Sequence, residues 1–68
     1  MNLKEFNLHL LLRGWSKTYS NRRYVYNKEN HSIYRDPKMN DMYLYRKPYF
    51  YVLFTREFHT IIETIDSM

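Results

Sequence analysis

Acid–base or metal chemistry in this chain would fall to three histidines, His9, His31 and His59, and their spacing supports neither. His59 and Glu63 stand one helical turn apart, yet a metal site needs three or four converging ligands and no further pair has ligand spacing. Solvated surface histidines are the expectation, and no cofactor or metal is called for. Nucleophilic catalysis would rest on serine or threonine alone. The adjacency of His31 and Ser32 carries no weight, because neighbours in a strand point to opposite faces. Asp36 and Asp41 fall in a turn-rich stretch, where carboxylates commonly cap backbone. A single glycine excludes a glycine-rich phosphate loop. The chain reads as a protein that binds rather than one that catalyses.

The chemistry that remains is tyrosine with arginine and lysine: eight tyrosines and eleven cations in 68 residues. Phenols offer wide contact area at low rotamer cost, and cations set beside them suit an acidic partner. The net charge of +4 is unevenly spread. Residues 1–12 balance to zero, residues 13–47 carry +6, and residues 48–68 carry −2.

A chain of this length forms one domain, spanning residues 1–68, whose core supplies only about 3–5 kcal/mol. Without cysteine it has neither disulfides nor thiolate metal sites, and nothing argues for an oxidising compartment. The opening MNLKEFNLHLLLRGW lacks a basic leader and a small-residue cleavage site, and no apolar run approaches the ~20 residues that cross a bilayer. A cytoplasmic protein with no membrane contact is expected. Usage leaning to Asn, Lys, Tyr and Ile, with no alanine, fits AT-rich coding in a low-GC bacterium or a virus infecting one.

These side chains need elements to hold them. Asn2 and Glu5 have the form of a capping box, Leu3, Phe6 and Leu10 follow at helical spacing, and Gly14 suits a helix C-terminus, so Leu3 to Arg13 is predicted helical. Trp15 is placed as a lid on the core beside that helix, and the polar, aperiodic stretch from Trp15 to Asn21 reads as a loop. RYVYN and HSIYR form a β-hairpin. A loop from Asn27 to His31 sets Val25 opposite Ile33 and Tyr24 opposite Tyr34, separating aliphatic from tyrosine faces; a loop from Asn27 to Asn30 would mix them. Asp36 to Asp41 is a turn. Met42 to Phe54 is one strand with Pro48 at an edge or bulge, or two strands broken at Lys47-Pro48. Thr55 caps a last helix, with Glu57 in its first turn and Phe58, Ile61, Ile62, Ile65 and Met68 along one stripe.

The expected architecture is therefore an α+β, two-layer α-β-β-β-α sandwich. Its antiparallel sheet has three strands, or four if Met42–Phe54 divides, and both terminal helices cover one face. Val25, Ile33, Leu44, Phe50, Val52 and Phe54 form the covered face. Tyr24, Tyr26, Tyr34, Tyr43, Tyr45, Tyr49 and Tyr51 form the open one, with Arg22, Arg23, Arg46 and Lys47 as its cations. A protein partner, a host or assembly component, is the first expectation for that face. The chain would then be a phage or mobile-element accessory that blocks host nucleic-acid-handling or defence machinery. Single-stranded DNA or RNA, stacked on tyrosine with phosphates on Arg and Lys, is the alternative. An isologous homodimer would bury the same surface.

Overall fold

The computed structural model describes residues 1–67. Helix α1 (Leu3–Leu12) precedes five strands, β1 (Ser16–Ser20), β2 (Arg23–Lys28), β3 (His31–Asp36), β4 (Met42–Lys47) and β5 (Phe50–Thr55); a 3-10 turn (Pro37–Met39) lies between β3 and β4, and helix α2 (Phe58–Asp66) closes the chain. The strands form an antiparallel meander in the order of the sequence. The α+β class and the two terminal helices agree with expectation, while the sheet has five strands rather than three or four.

Both ends of α1 follow from local chemistry. The Asn2 side chain accepts from the Glu5 N–H at 2.9 Å, and Gly14, at φ 87°, ends the helix. Trp15 N–H then donates to Leu10 O and Gly14 N–H to Leu11 O, the paired bonds of a Schellman motif. Trp15 itself is buried against the core, as expected of a lid. At α2 the helical N-cap is Glu57, whose side chain makes no cap bond; Thr55 instead accepts from the Glu57 N–H at 3.0 Å, one step before the helix begins. Ile61 and Ile62 of the apolar stripe are buried, Phe58 and Ile65 pack beside them, and Met68 lies outside the described residues. Across the helix ends, the Arg13 guanidinium donates to both oxygens of Asp66 at 2.7 and 2.8 Å, which holds that carboxyl below its ordinary range.

The stretch predicted as a loop is the edge strand β1. All five of its residues are exposed, which is why no hydrophobic alternation marks it. It pairs with β2 through a turn at Asn21 and Arg22, both with positive φ (53° and 66°), as a two-residue hairpin of type I′ requires. Pro48 and Tyr49 form a second two-residue turn, so Met42–Phe54 divides into two strands.

The principal correction concerns register. β2 and β3 are joined by a two-residue turn, Glu29-Asn30, and not by the loop Asn27–His31; Lys28 opposes His31, Tyr26 opposes Ile33 and Val25 opposes Tyr34. Relative to the expected pairing this is a slip of one residue, and with a side-chain period of two such a slip exchanges the faces. One row now runs Lys17, Tyr26, Ile33, Tyr45, Leu53 across all five strands, and the next runs Thr18, Val25, Tyr34, Leu44, Phe54. Both helices cover the first row: Tyr26, Ile33 and Tyr45 share a core with Phe6, Leu10, Ile61 and Ile62. Val25, Leu44 and Phe54, expected beneath the helices, lie on the uncovered face.

Strand β5 keeps these rows aligned by a bulge. Tyr45 opposes Leu53 but Arg46 opposes Tyr51, leaving Val52 as the extra residue. Without it, Leu53 would fall opposite Leu44 and leave the core row.

Tyrosine serves as a core residue here because its hydroxyls are satisfied. Tyr26 donates to Asn7 Oδ1 at 2.7 Å, and the Tyr45 hydroxyl meets His31 Nδ1 at 2.6 Å. Burial raises the phenol pKa of Tyr26, Tyr43 and Tyr45; at Tyr34 burial acts together with a hydrogen bond to Tyr51. Unfolded tyrosine titrates near ~10, so above that pH the unfolded chain releases protons that the native chain retains. Stability is thus fully present below pH ~10 and declines as pH rises from the unfolded value towards the raised native values. Thermal melts from pH ~8 to ~11 are expected to show a flat midpoint and then a fall that Tyr26→Phe makes shallower. An unchanged midpoint to pH ~11 would contradict the burial described.

Candidate functional site

The residues expected to form one tyrosine face are divided by the fold into four groups. Tyr45 is in the core at 1% exposure, and Tyr26 is buried beside it. Tyr34, Tyr51, Arg23 and Arg46 lie on the face that no helix covers. Tyr24, Tyr43 and Arg22 border a groove on the helix side, together with Tyr26 and Arg23. Tyr49 sits at the tip of the β4–β5 turn, and Lys47 beside it holds its ammonium 5.7 Å from the Phe50 ring centre. The single open tyrosine surface is therefore not formed.

The uncovered sheet face is built around Leu44, which is only 2% exposed although no helix lies over it. Neighbours in its own row, Tyr34 and Phe54, shield it, and the Tyr51 ring stands 5.1 Å from Phe54. Arg23 lays its guanidinium over the Tyr34 ring at 4.3 Å, and Arg46 lies 5.8 Å from the Tyr51 ring centre. The result is a patch of rings and aliphatic side chains edged by two cations. Its outer rim, formed by Thr18, Asn27 and Ser32, is polar.

On the other side, a groove of about 370 Å³ opens where the start of α1 meets β1 to β4. It is lined by Lys17, Arg22, Arg23 and Arg35, by Tyr19, Tyr24, Tyr26 and Tyr43, and by Leu3 and Pro37; among the described residues no carboxylate lines it. Tyr19 and Tyr24 are cross-strand partners in edge-to-face contact, 5.0 Å between centres, and both are largely exposed. Lys17 Nζ lies 4.3 Å from the centre of the Tyr24 ring. The Arg35 guanidinium has one distant ion pair, 3.9 Å to Asp41, between side chains that are both well exposed, a geometry that contributes little. Lys17, Tyr19 and Arg35 were not expected as site residues. The first two lie in the stretch predicted as a loop, where exposure of every residue leaves no hydrophobic alternation to mark a strand.

Helix α1 also leaves Leu8, Leu11 and Leu12 exposed on its outer side. Among the described residues, no three His, Asp or Glu side chains gather as a metal site requires, and no helix is long and apolar enough to cross a membrane. No protein-family model, curated protein or solved structure matches this chain, so its surfaces carry the functional argument.

Proposed function

We propose that the chain is a small, non-enzymatic binding module that docks on a protein partner through the uncovered sheet face, occluding or adapting that partner. The observation that carries this reading is the placement of Tyr34, Tyr51 and Phe54 with Arg23 and Arg46 on a sheet face over which neither helix packs. Aromatic and arginine side chains around a dry centre, with a polar rim, make up the composition in which a few residues dominate binding energy. Leu44 gives the centre; Thr18, Asn27 and Ser32 give the rim. A host or mobile-element assembly with an acidic surface is the partner class that the cations suit.

A photo-crosslinking residue at position 54 tests this, followed by titration of the purified pair. Arg46→Glu and Tyr51→Ala are each expected to weaken binding about tenfold or more, while Arg46→Glu changes stability by no more than about 0.5 kcal/mol. Unchanged affinity in both variants would remove this face from the function. A dimer in light scattering that the same two variants dissociate would assign the face to a second copy of the chain and overturn the partner reading.

A further inference from the structure

The groove on the helix side has a different character from the docking face, and it does not depend on that reading. We propose that it binds a phosphate-bearing planar ring, that is, a nucleoside phosphate, either free or as a unit of a single strand. Cations stand on several of its sides: Lys17 from β1, Arg22 from the β1–β2 turn and Arg35 from β3. Among the described residues no carboxylate lines it to neutralise them, and the distant exposed Asp41 leaves the Arg35 guanidinium able to donate to a better partner. An anion entering here meets a concentrated positive field.

The anion is expected to carry a ring because the walls are aromatic. Tyr19 and Tyr24 stand exposed side by side, and Lys17 already holds its ammonium over the Tyr24 ring, a place a base takes when the ammonium moves to its phosphate. The groove, about 370 Å³, lies within the range of about 300–1,000 Å³ usual for small-molecule sites.

Backbone geometry makes Arg22 a clean position at which to test the assignment. A type I′ turn favours glycine at its second central position, yet this chain places Arg22 there at φ 66°, in the left-handed region that β-carbons disfavour. Arg22 lines the groove from this costly conformation, which Glu29 and Asp41 outside the groove also adopt, so its backbone bears on the test below rather than on the ligand. Glycine at this position would suit the turn better and would remove the arginine side chain with its charge.

The test is fluorescence anisotropy of the full chain with a labelled oligothymidylate, over a series of salt concentrations, with ATP and inorganic phosphate as competitors. Binding is expected to weaken with salt, and Arg22→Gly is expected to weaken it roughly tenfold and to reduce the salt slope by about 0.7. The same variant is expected to melt at or above the wild-type temperature, which separates lost binding from lost fold. Tyr24→Ala is expected to weaken binding by about five- to 150-fold. Arg46→Glu, on the opposite face, is expected to leave it within twofold, so that failure of this proposal and failure of the docking face are read separately. Full competition by ATP would identify a free nucleotide as sufficient, and competition only by unlabelled strand would identify the strand as the source; either supports the proposal. It is overturned by no binding at low salt, by inorganic phosphate competing as well as ATP does, or by Arg22→Gly and Tyr24→Ala binding like wild type.

Discussion

Replacing Phe6 with alanine is expected to unfold the chain. Phe6 is 0% exposed and joins the two layers: its ring stacks on Phe58 of α2 at 4.5 Å and meets Tyr26 and Tyr43 of the sheet edge-on at 5.8 and 5.6 Å. Removing a buried phenylalanine costs about 3–5 kcal/mol, through lost transfer energy and the cavity left behind. A single core in a chain of this size supplies about the same amount, so little stability would remain. Far-UV circular dichroism with urea titration measures it. Phe6→Leu, which keeps most of the volume, is expected to retain a cooperative transition at a lower midpoint. A Phe6→Ala variant that still unfolds cooperatively with a loss below about 1 kcal/mol would show that α1 does not hold the core in the way described.

Tyr45 provides the second large effect, and with Tyr49 a direct test of the register. The two stand four residues apart, but Tyr45 is 1% exposed in the central row while Tyr49 is 94% exposed in a turn. Tyr45→Ala is expected to cost about 3–5 kcal/mol and to unfold the chain, as truncation of other buried aromatic residues does. Tyr45→Phe keeps the ring and loses the hydroxyl that meets His31, a change worth about 0.5–1.5 kcal/mol. Tyr49→Ala is expected to stay within about 0.5 kcal/mol of wild type. Denaturant midpoints in the order Tyr49→Ala, Tyr45→Phe, Tyr45→Ala would support the face assignment. Similar midpoints for the two alanine variants would reverse it. Any loss of partner binding in Tyr45→Ala is accordingly a loss of fold and not of a contact.

Both helices were readable from short-range signals. Asn2 before Glu5, Gly14 after the last turn and the stripe of Phe58, Ile61, Ile62 and Ile65 act within a few residues of one another, and each does in the structure what its type suggests. Thr55 has the residue type of a cap for α2, but its hydroxyl serves at the turn just before the helix. Strand β1 was not readable, because an edge strand exposed along its whole length carries no alternating hydrophobicity. The candidate groove went unseen for the same reason, since Lys17 and Tyr19 belong to β1.

The sequence by itself determined the alternation within β2, β3 and β4, the two helices that cover one face of the sheet and the tyrosine and cation chemistry available for binding. It did not determine which face the helices cover. In β2, Val25 alternates with Tyr24 and Tyr26, and either set is apolar enough to be buried; the choice rested on a turn of two residues or of five between β2 and β3. The tertiary structure settled it through contacts distant in sequence. Asn7 of α1 accepts from the Tyr26 hydroxyl, and His31 meets that of Tyr45, so the larger rings enter the core without leaving a buried hydroxyl unpaired. Phe6 then gains aromatic neighbours on the sheet. Val25, Leu44 and Phe54 remain on the other face, where a buried Leu44 forms the centre and Phe54 part of the exposed docking surface proposed above.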